Sequence, residues 1–283
     1  MPSSITHELI ADEARRFLPK SGQTVIASAP DYYYLGAQGP DILFFYRPFK
    51  RGKNLGKLLH RGEIHGWFSS MLRALKTRRG GEKTKCLAYA LGYASHYAAD
   101  AVFHTFVYNY LRSHTRRFEH QQMESDWDVY FLTKLRGVFP LPYRFPFDTK
   151  KLARAGILAA YMKDCAGGIR QPIDEDAFRR ALANYGRYLK FFHGRAKGGM
   201  FSSLERILGF RGVSAFYPRR APNPYVIDCD GFETLSEGNG KNADELFDRA
   251  VSSSAELASA FLYAKNNELS KLLRFNFEGE PLI

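Results

Sequence analysis

The stretch GYASHYAADAVFHTFVY, residues 92–108, decides how this chain can fold. His96, Asp100 and His104 recur every four positions in a run that is otherwise rich in Ala, Val, Phe and Tyr. At about 100° per residue, this spacing places the three side chains on one narrow stripe of an α-helix. A helix that is apolar on its other faces is typically buried, and a buried acid and two imidazoles need compensation. The stripe therefore predicts a metal ion or buried polar partners.

The next segment, FEHQQMESDWD at residues 118–128, repeats the same device. His120, Glu124 and Asp128 again recur every four positions, whereas Asp126 lies off the stripe and is predicted to be a surface carboxylate. Either stripe alone is also consistent with a core histidine whose hydrogen bonds are satisfied, or with a solvated charge. Two stripes on consecutive helices can face each other, and imidazole and carboxylate are common zinc ligands. Together, the two stripes favour a metal centre.

Helical periodicity extends over most of the remaining chain, and no convincing strand pattern appears in the first half. Glycine and proline interrupt residues 32–57, which predicts an ordered loop that carries Asp41. Residues 211–240 are predicted to be irregular, and Asn242 with Glu245 forms a capping signal for a last helix. The other predicted helices span residues 6–18, 62–75, 82–111, 115–135, 149–162 and 174–192. We expect one all-α domain over residues 1–283, with the motifs in 1–135 and C-terminal helices in 149–275.

The composition narrows the class of protein and of partner. With 283 residues, 45% hydrophobic and 15% aromatic, the chain is too apolar for a disordered or fibrous protein. Lys and Arg number 41 against 29 Asp and Glu, and the net charge of +12 favours an anionic partner. Three widely spaced cysteines indicate neither a disulfide framework nor a thiolate zinc site. Without an apolar signal or membrane span in the sequence, we expect a cytoplasmic protein.

Five pieces of sequence, taken in order, resemble the zinc-dependent phospholipase C family, which is related to the single-strand-specific fungal zinc nucleases. These pieces cover roughly the first 130 residues, and their order is more specific than any single motif. They are THELIA at 6–11, GAQGPDILFFY at 36–46, LLH at 58–60, GYASHYAADAVFHTFVY at 92–108 and HQQMESDWD at 120–128.

The resemblance implies an all-α domain that holds two or three zinc ions and hydrolyses phosphodiesters with metal-activated water. Matched position by position, its ligands form three sets. One ion is held by His60, His96 and Asp100 with Asp41 beside them, a second by His104, His120 and Glu124, and a third by His7, a bridging Asp100 and the N-terminal amine, which is that of Pro2 if Met1 is removed.

The resemblance also assigns roles. Asp41 is the catalytic carboxylate that positions or deprotonates the attacking water, and Asp128 orients a ligand histidine. His60 is preferred over His65 because LLH matches the apolar-apolar-His pattern of the family. His193 lies among polar, basic and glycine residues and is predicted to be solvated, as is His114.

Several alternatives stay open at this point. The anionic substrate is a phospholipid or a nucleotide, since the chain carries no specific nucleic-acid motif. A zinc nuclease is the alternative that uses the same chemistry. The other alternative is a non-catalytic protein in which the metal ions only hold helices together. Iron or manganese also binds His and carboxylate sites. The sequence does not predict an oligomeric state.

Overall fold

A computed structural model describes residues 4–47, 54–113, 119–139, 142–194, 222–228, 242–263 and 266–282. Within these ranges the regular structure is helical, and the one β feature is an isolated antiparallel bridge between Phe275 and Pro281. The all-α prediction is confirmed. That residues 1–283 form one domain stays a prediction.

The helices follow one another with short connections. The motif-bearing part contains α1 (Ser4–Ala14), a 3-10 turn (Arg15–Phe17), α2 (Lys20–Ser28), α3 (Pro30–Gly36), a 3-10 segment (Gly39–Phe45), α4 (Leu55–Arg61), α5 (Ile64–Lys76), α6 (Gly80–Ser113) and α7 (Glu119–Arg136). The later part contains α8 (Thr149–Ala155), α9 (Ile157–Gly168), α10 (Glu175–His193), α11 (Pro224–Asp228), α12 (Ala243–Leu262) and α13 (Asn266–Leu272).

Helix α6, with 34 residues, runs through the core, and α1, α3 and α12 pack against it. Its N-terminal half, including Tyr89 and Tyr93, belongs to the larger of two apolar clusters. Its C-terminal half, including Phe103 and Val107, belongs to the smaller cluster, in which Trp127 of α7 also lies. The predicted ligand stripe therefore lies where the two clusters meet.

Two glycines allow α3 to pack backbone to backbone against α6. A Cβ atom placed on Gly36 would lie 2.1 Å from the carbonyl oxygen of Tyr89, and one on Gly92 would lie 2.0 Å from that of Tyr33. No side chain fits at either contact. This close approach brings Ala37, directly after α3, next to His96 of α6.

Some helix predictions need correction. The predicted helix over residues 149–162 is two helices, because Gly156 adopts a left-handed φ of +73° between them. Asp41 lies in a 3-10 segment rather than a loop, since Pro40 begins a short helical turn there. Asn242 does cap α12, where its side chain accepts from the Glu245 N–H. Most of the predicted irregular stretch 211–240 lies outside the described residues.

Candidate metal centre

Five predicted ligands from four helical segments meet in one buried group, which we call the inner cluster: His7, Asp41, His60, His96 and Asp100. Asp100 lies at its centre. Its Oδ1 atom is 3.2 Å from His7 Nε2, and its Oδ2 atom is 3.2 Å from His96 Nε2 and 3.6 Å from His60 Nε2. Asp41 Oδ1 lies 3.0 Å from the same Nε2 atom of His60.

The remaining three predicted ligands form a second group, the outer cluster: His104 of α6 with His120 and Glu124 of α7. Glu124 Oε1 lies between the two imidazoles, 3.2 Å from His104 Nε2 and 3.0 Å from His120 Nε2. His104 and Glu124 are buried, whereas the His120 side chain keeps 18% of its exposure. The His104 Nδ1 atom also lies 3.9 Å from Asp100 Oδ2, which connects the two clusters.

Backbone carbonyls orient three of the histidine rings. The Nδ1 atom of His60 donates to Gly56 O at 2.8 Å, that of His96 to Ala37 O at 3.1 Å and that of His104 to Phe277 O at 2.5 Å. A carbonyl can only accept, so each Nδ1 must carry the proton. In the neutral rings the lone pair is then on Nε2, which faces the carboxylates, as in histidines that bind metals.

The clusters contain strongly coupled charges. Burial disfavours ionised Asp100, but the imidazoles of His96 and His104 outweigh it and hold the pKa of Asp100 well below its ordinary value. Burial also lowers the pKa of His104, yet Asp100 and Glu124 raise it to about 9. Burial and the nearby His96 lower the pKa of His7. The carboxylates therefore stay ionised at neutral pH and favour a cation among them.

The spacing of these atoms fits a metal ion. Two ligands about 2.1 Å from a tetrahedral zinc ion are about 3.4 Å apart, and the pairs above lie 3.0 to 3.6 Å apart. Asp41 Oδ1, His96 Nε2 and Asp100 Oδ2 are buried without a hydrogen-bond partner among the described residues. Leaving such atoms unpaired costs free energy, and bound cations would satisfy them. The donor set thus fits zinc.

The structure groups the predicted ligands differently from the sets that the resemblance implies. His96 lies with His7 and Asp100 and also with Asp41 and His60, so it joins two of the predicted sets. The set of His104, His120 and Glu124 is brought together as predicted. Of the two competing histidines, His60 lies in the inner cluster and His65 is exposed. Pro2, the candidate amine ligand, lies outside the described residues.

Asp128 lies beneath α1 rather than among the ligand atoms. Its Oδ1 accepts from the backbone N–H and the hydroxyl of Thr6, each at 2.7 Å, and its Oδ2 accepts from the Ile5 N–H at 3.3 Å. A carboxylate at a helix N-terminus satisfies its free N–H groups. Asp128 therefore holds the turn of α1 that carries His7, and its predicted contact with a ligand histidine stays a prediction.

Two predictions near the site are wrong. Asp126 is completely buried rather than on the surface, because the backbone N–H of Asn223 donates to its carboxylate at 3.2 Å. His193 is buried among Phe145 and Tyr188 rather than solvated, and burial lowers its pKa to about 4. The other polar histidine, His114, lies outside the described residues.

Sequence reasoning missed the groups that orient the ligands. Ala37, Gly56 and Phe277 act through their carbonyl oxygens, which every residue type carries, so no side-chain pattern could reveal them. Phe277 is also more than 170 residues from the ring it contacts.

Comparison with known proteins agrees with this geometry. A family model described as zinc dependent phospholipase C matches residues 6–179, which contain all eight side chains of the two clusters. No curated protein and no solved structure gives a significant match to the chain. In the described part of the chain, every helix is too short or too polar to cross a membrane. With most of its length matched and a donor set that fits zinc, this chain belongs to the zinc-dependent phospholipase C family, a family of hydrolases.

Proposed function

We propose that this protein hydrolyses phosphodiesters, with a phospholipid as the preferred substrate class, and that Asp41 is the carboxylate that positions or deprotonates the attacking water. The observation that carries the proposal is the position of Asp41. Its carboxylate is buried beside His60, and its Oδ1 atom has no hydrogen-bond partner among the described residues. An acid that served only to support the fold would have its acceptors satisfied.

The inner cluster would hold one or two ions and the outer cluster another. When bound, zinc supplies a Lewis acid and lowers the pKa of a bound water to about 7. Protein groups supply the remaining chemistry. Three backbone carbonyls keep the Nε2 atoms of His60, His96 and His104 directed at the carboxylates. The ligands are thereby oriented before substrate arrives, which lowers the cost of reorganisation.

Asp41 is suited to accept a hydrogen bond from the attacking water. Its burial would raise its pKa, but nearby positive charges, those of the His96 and His60 imidazoles among them, help to lower it to about 2. The carboxylate is therefore ionised at neutral pH and has an acceptor available for the attacking water. A water held at Asp41 Oδ1 would be aligned for in-line attack on phosphorus.

The charge of the chain and its family favour the substrate class. A net charge of +12 attracts an anionic phosphodiester, and the matching family is named for phospholipase C. A nucleic acid carries the same reacting group, so a nuclease activity is the competing outcome. The sequence offers no base-recognition motif in its favour.

The test compares zinc-loaded wild-type protein with two variants. We expect wild-type protein to hydrolyse a chromogenic phosphodiester and phosphatidylcholine faster than single-stranded RNA. Asp41→Asn should retain zinc, because the other ligands remain, and should lose at least 100-fold in kcat/KM. The control is Asp176→Asn, which removes an exposed carboxylate on α10. A wild-type rate in Asp41→Asn would reject Asp41 as the catalytic carboxylate, and preference for RNA would identify a nuclease.

A further inference from the structure

Residues 275–281 form a compact turn near the end of the chain, which we call the C-terminal turn. Asn276 holds it together, because its Oδ1 atom accepts from the N–H groups of Glu278 and Glu280, each at 2.9 Å. The Asn276 N–H also donates to Glu280 O at 2.8 Å, and Phe275 bridges to Pro281. The turn thus keeps its shape through its own hydrogen bonds.

The C-terminal turn is fixed against the helix that carries the ligand stripe. The Tyr97 hydroxyl donates to Phe275 O at 2.7 Å. Gly279 has a φ of +73°, and a Cβ placed on it would lie 2.7 Å from the backbone nitrogen of Thr105. The turn therefore touches α6 at a point where only glycine fits, one residue from His104.

Phe277, at the centre of the turn, contacts the metal centre. Its side chain is completely buried, with ring centroids 5.2 Å from His60 and 5.7 Å from His96. Its N–H donates to His60 O at 3.3 Å. Its carbonyl accepts from His104 Nδ1 at 2.5 Å, which leaves His104 Nε2 directed at Glu124.

We propose that the C-terminal turn is a positioning element of the metal centre, in which the Phe277 carbonyl fixes the His104 ring so that Nε2 can bind an ion in the outer cluster. The inference rests on the metal centre of the proposed function. It extends that centre beyond residues 6–179, where the family match ends. The turn would act on metal affinity, since a ligand histidine without its orienting acceptor typically binds about 10- to 100-fold more weakly.

Two glycine variants test this proposal. Gly279→Ala should push the turn off α6 and weaken zinc binding at the outer cluster about 10- to 100-fold, measured by competition with a chromophoric chelator. Gly137→Ala is the matched control: Gly137 also has a positive φ, of +65°, but a Cβ there would meet no atom within 4 Å. We expect Gly137→Ala to bind zinc as the wild type does. Equal zinc affinity in Gly279→Ala and the wild type would overturn the proposal.

A double-mutant cycle separates positioning from general destabilisation. His120→Ala removes an outer ligand, so Gly279→Ala should weaken zinc binding little further in that background. An equal loss in both backgrounds would mean that the turn does not act through the outer cluster, and would also overturn the proposal. If Gly279→Ala does not fold, Asn276→Ala loosens the turn from within and serves in the same cycle. Wild-type protein that binds zinc without hydrolysing any phosphodiester would reject the proposed function alone.

Discussion

The inner and outer clusters use the same ligand chemistry but are built in opposite ways. The inner cluster collects residues from α1, the 3-10 segment, α4 and α6, and all five side chains are buried. The outer cluster uses two consecutive helices, and one of its imidazoles is partly exposed. Ligands from distant segments are held in place by the packing of the whole core. Ligands from two neighbouring helices need only the contact between those helices and an acceptor that orients the histidine ring. The inner cluster is therefore tied to global stability more closely than the outer one.

The largest effect should come from Asp100, the residue of the inner cluster that also connects it to the outer one. Asp100→Asn keeps the volume but removes the carboxylate that faces His7, His60, His96 and His104. Breaking such a buried arrangement from one side typically costs about 3 to 5 kcal/mol. We expect loss of the inner zinc and a lower melting temperature, measured by elemental analysis and calorimetry. The control, Asp126→Asn, alters a buried carboxylate outside both clusters and should leave the zinc content unchanged.

A pair of alanine variants should distinguish the clusters directly. His96→Ala empties a completely buried position and should cost about 2 to 5 kcal/mol in the free energy of unfolding without metal. His120→Ala removes a partly exposed ring and should cost about 1 kcal/mol. Each variant should lose zinc from its own cluster. Equal destabilisation of the two metal-free proteins would contradict the contrast drawn between the clusters.

His193, which lies outside both clusters, should make the stability of the metal-free protein depend on pH. Burial lowers the pKa of His193 to about 4, below its unfolded value of about 6.5, so the unfolded chain binds the proton more tightly. Above pH 6.5, His193 should not affect the free energy of unfolding. As the pH falls from 6.5 to 4, that free energy should decrease by about 1 kcal/mol per pH unit. His193→Phe should flatten that slope in urea unfolding of metal-free protein.

The matched variant for this measurement is His65→Phe, which replaces an exposed imidazole. It should keep the wild-type slope between pH 6.5 and 4. If His193→Phe and His65→Phe show the same pH dependence, His193 is not the group responsible for the acid instability.

The sequence was informative where side chains repeat with the period of a helix. The stripes of α6 and α7 predicted both helices and five of the eight ligand candidates, because each burial pattern is local to one helix. His7, Asp41 and His60 came from the resemblance alone, since one ionisable residue in a short segment has no period. The sequence did not predict the burial of side chains that are covered by distant parts of the chain. Asp126 is buried through an N–H group almost 100 residues away, and Gly156 breaks a helix whose amphipathic pattern continues.

The contact between Phe277 and His104 also has a consequence for biosynthesis. These residues are 173 positions apart, and a ribosome adds about 5 to 20 residues per second. Roughly 10 to 35 seconds therefore pass between synthesis of the ring and of its acceptor. During that interval His104, His120 and Glu124 are already part of the nascent chain, but the carbonyl that orients His104 does not yet exist. The outer cluster is thus completed only long after both of its helices have been made.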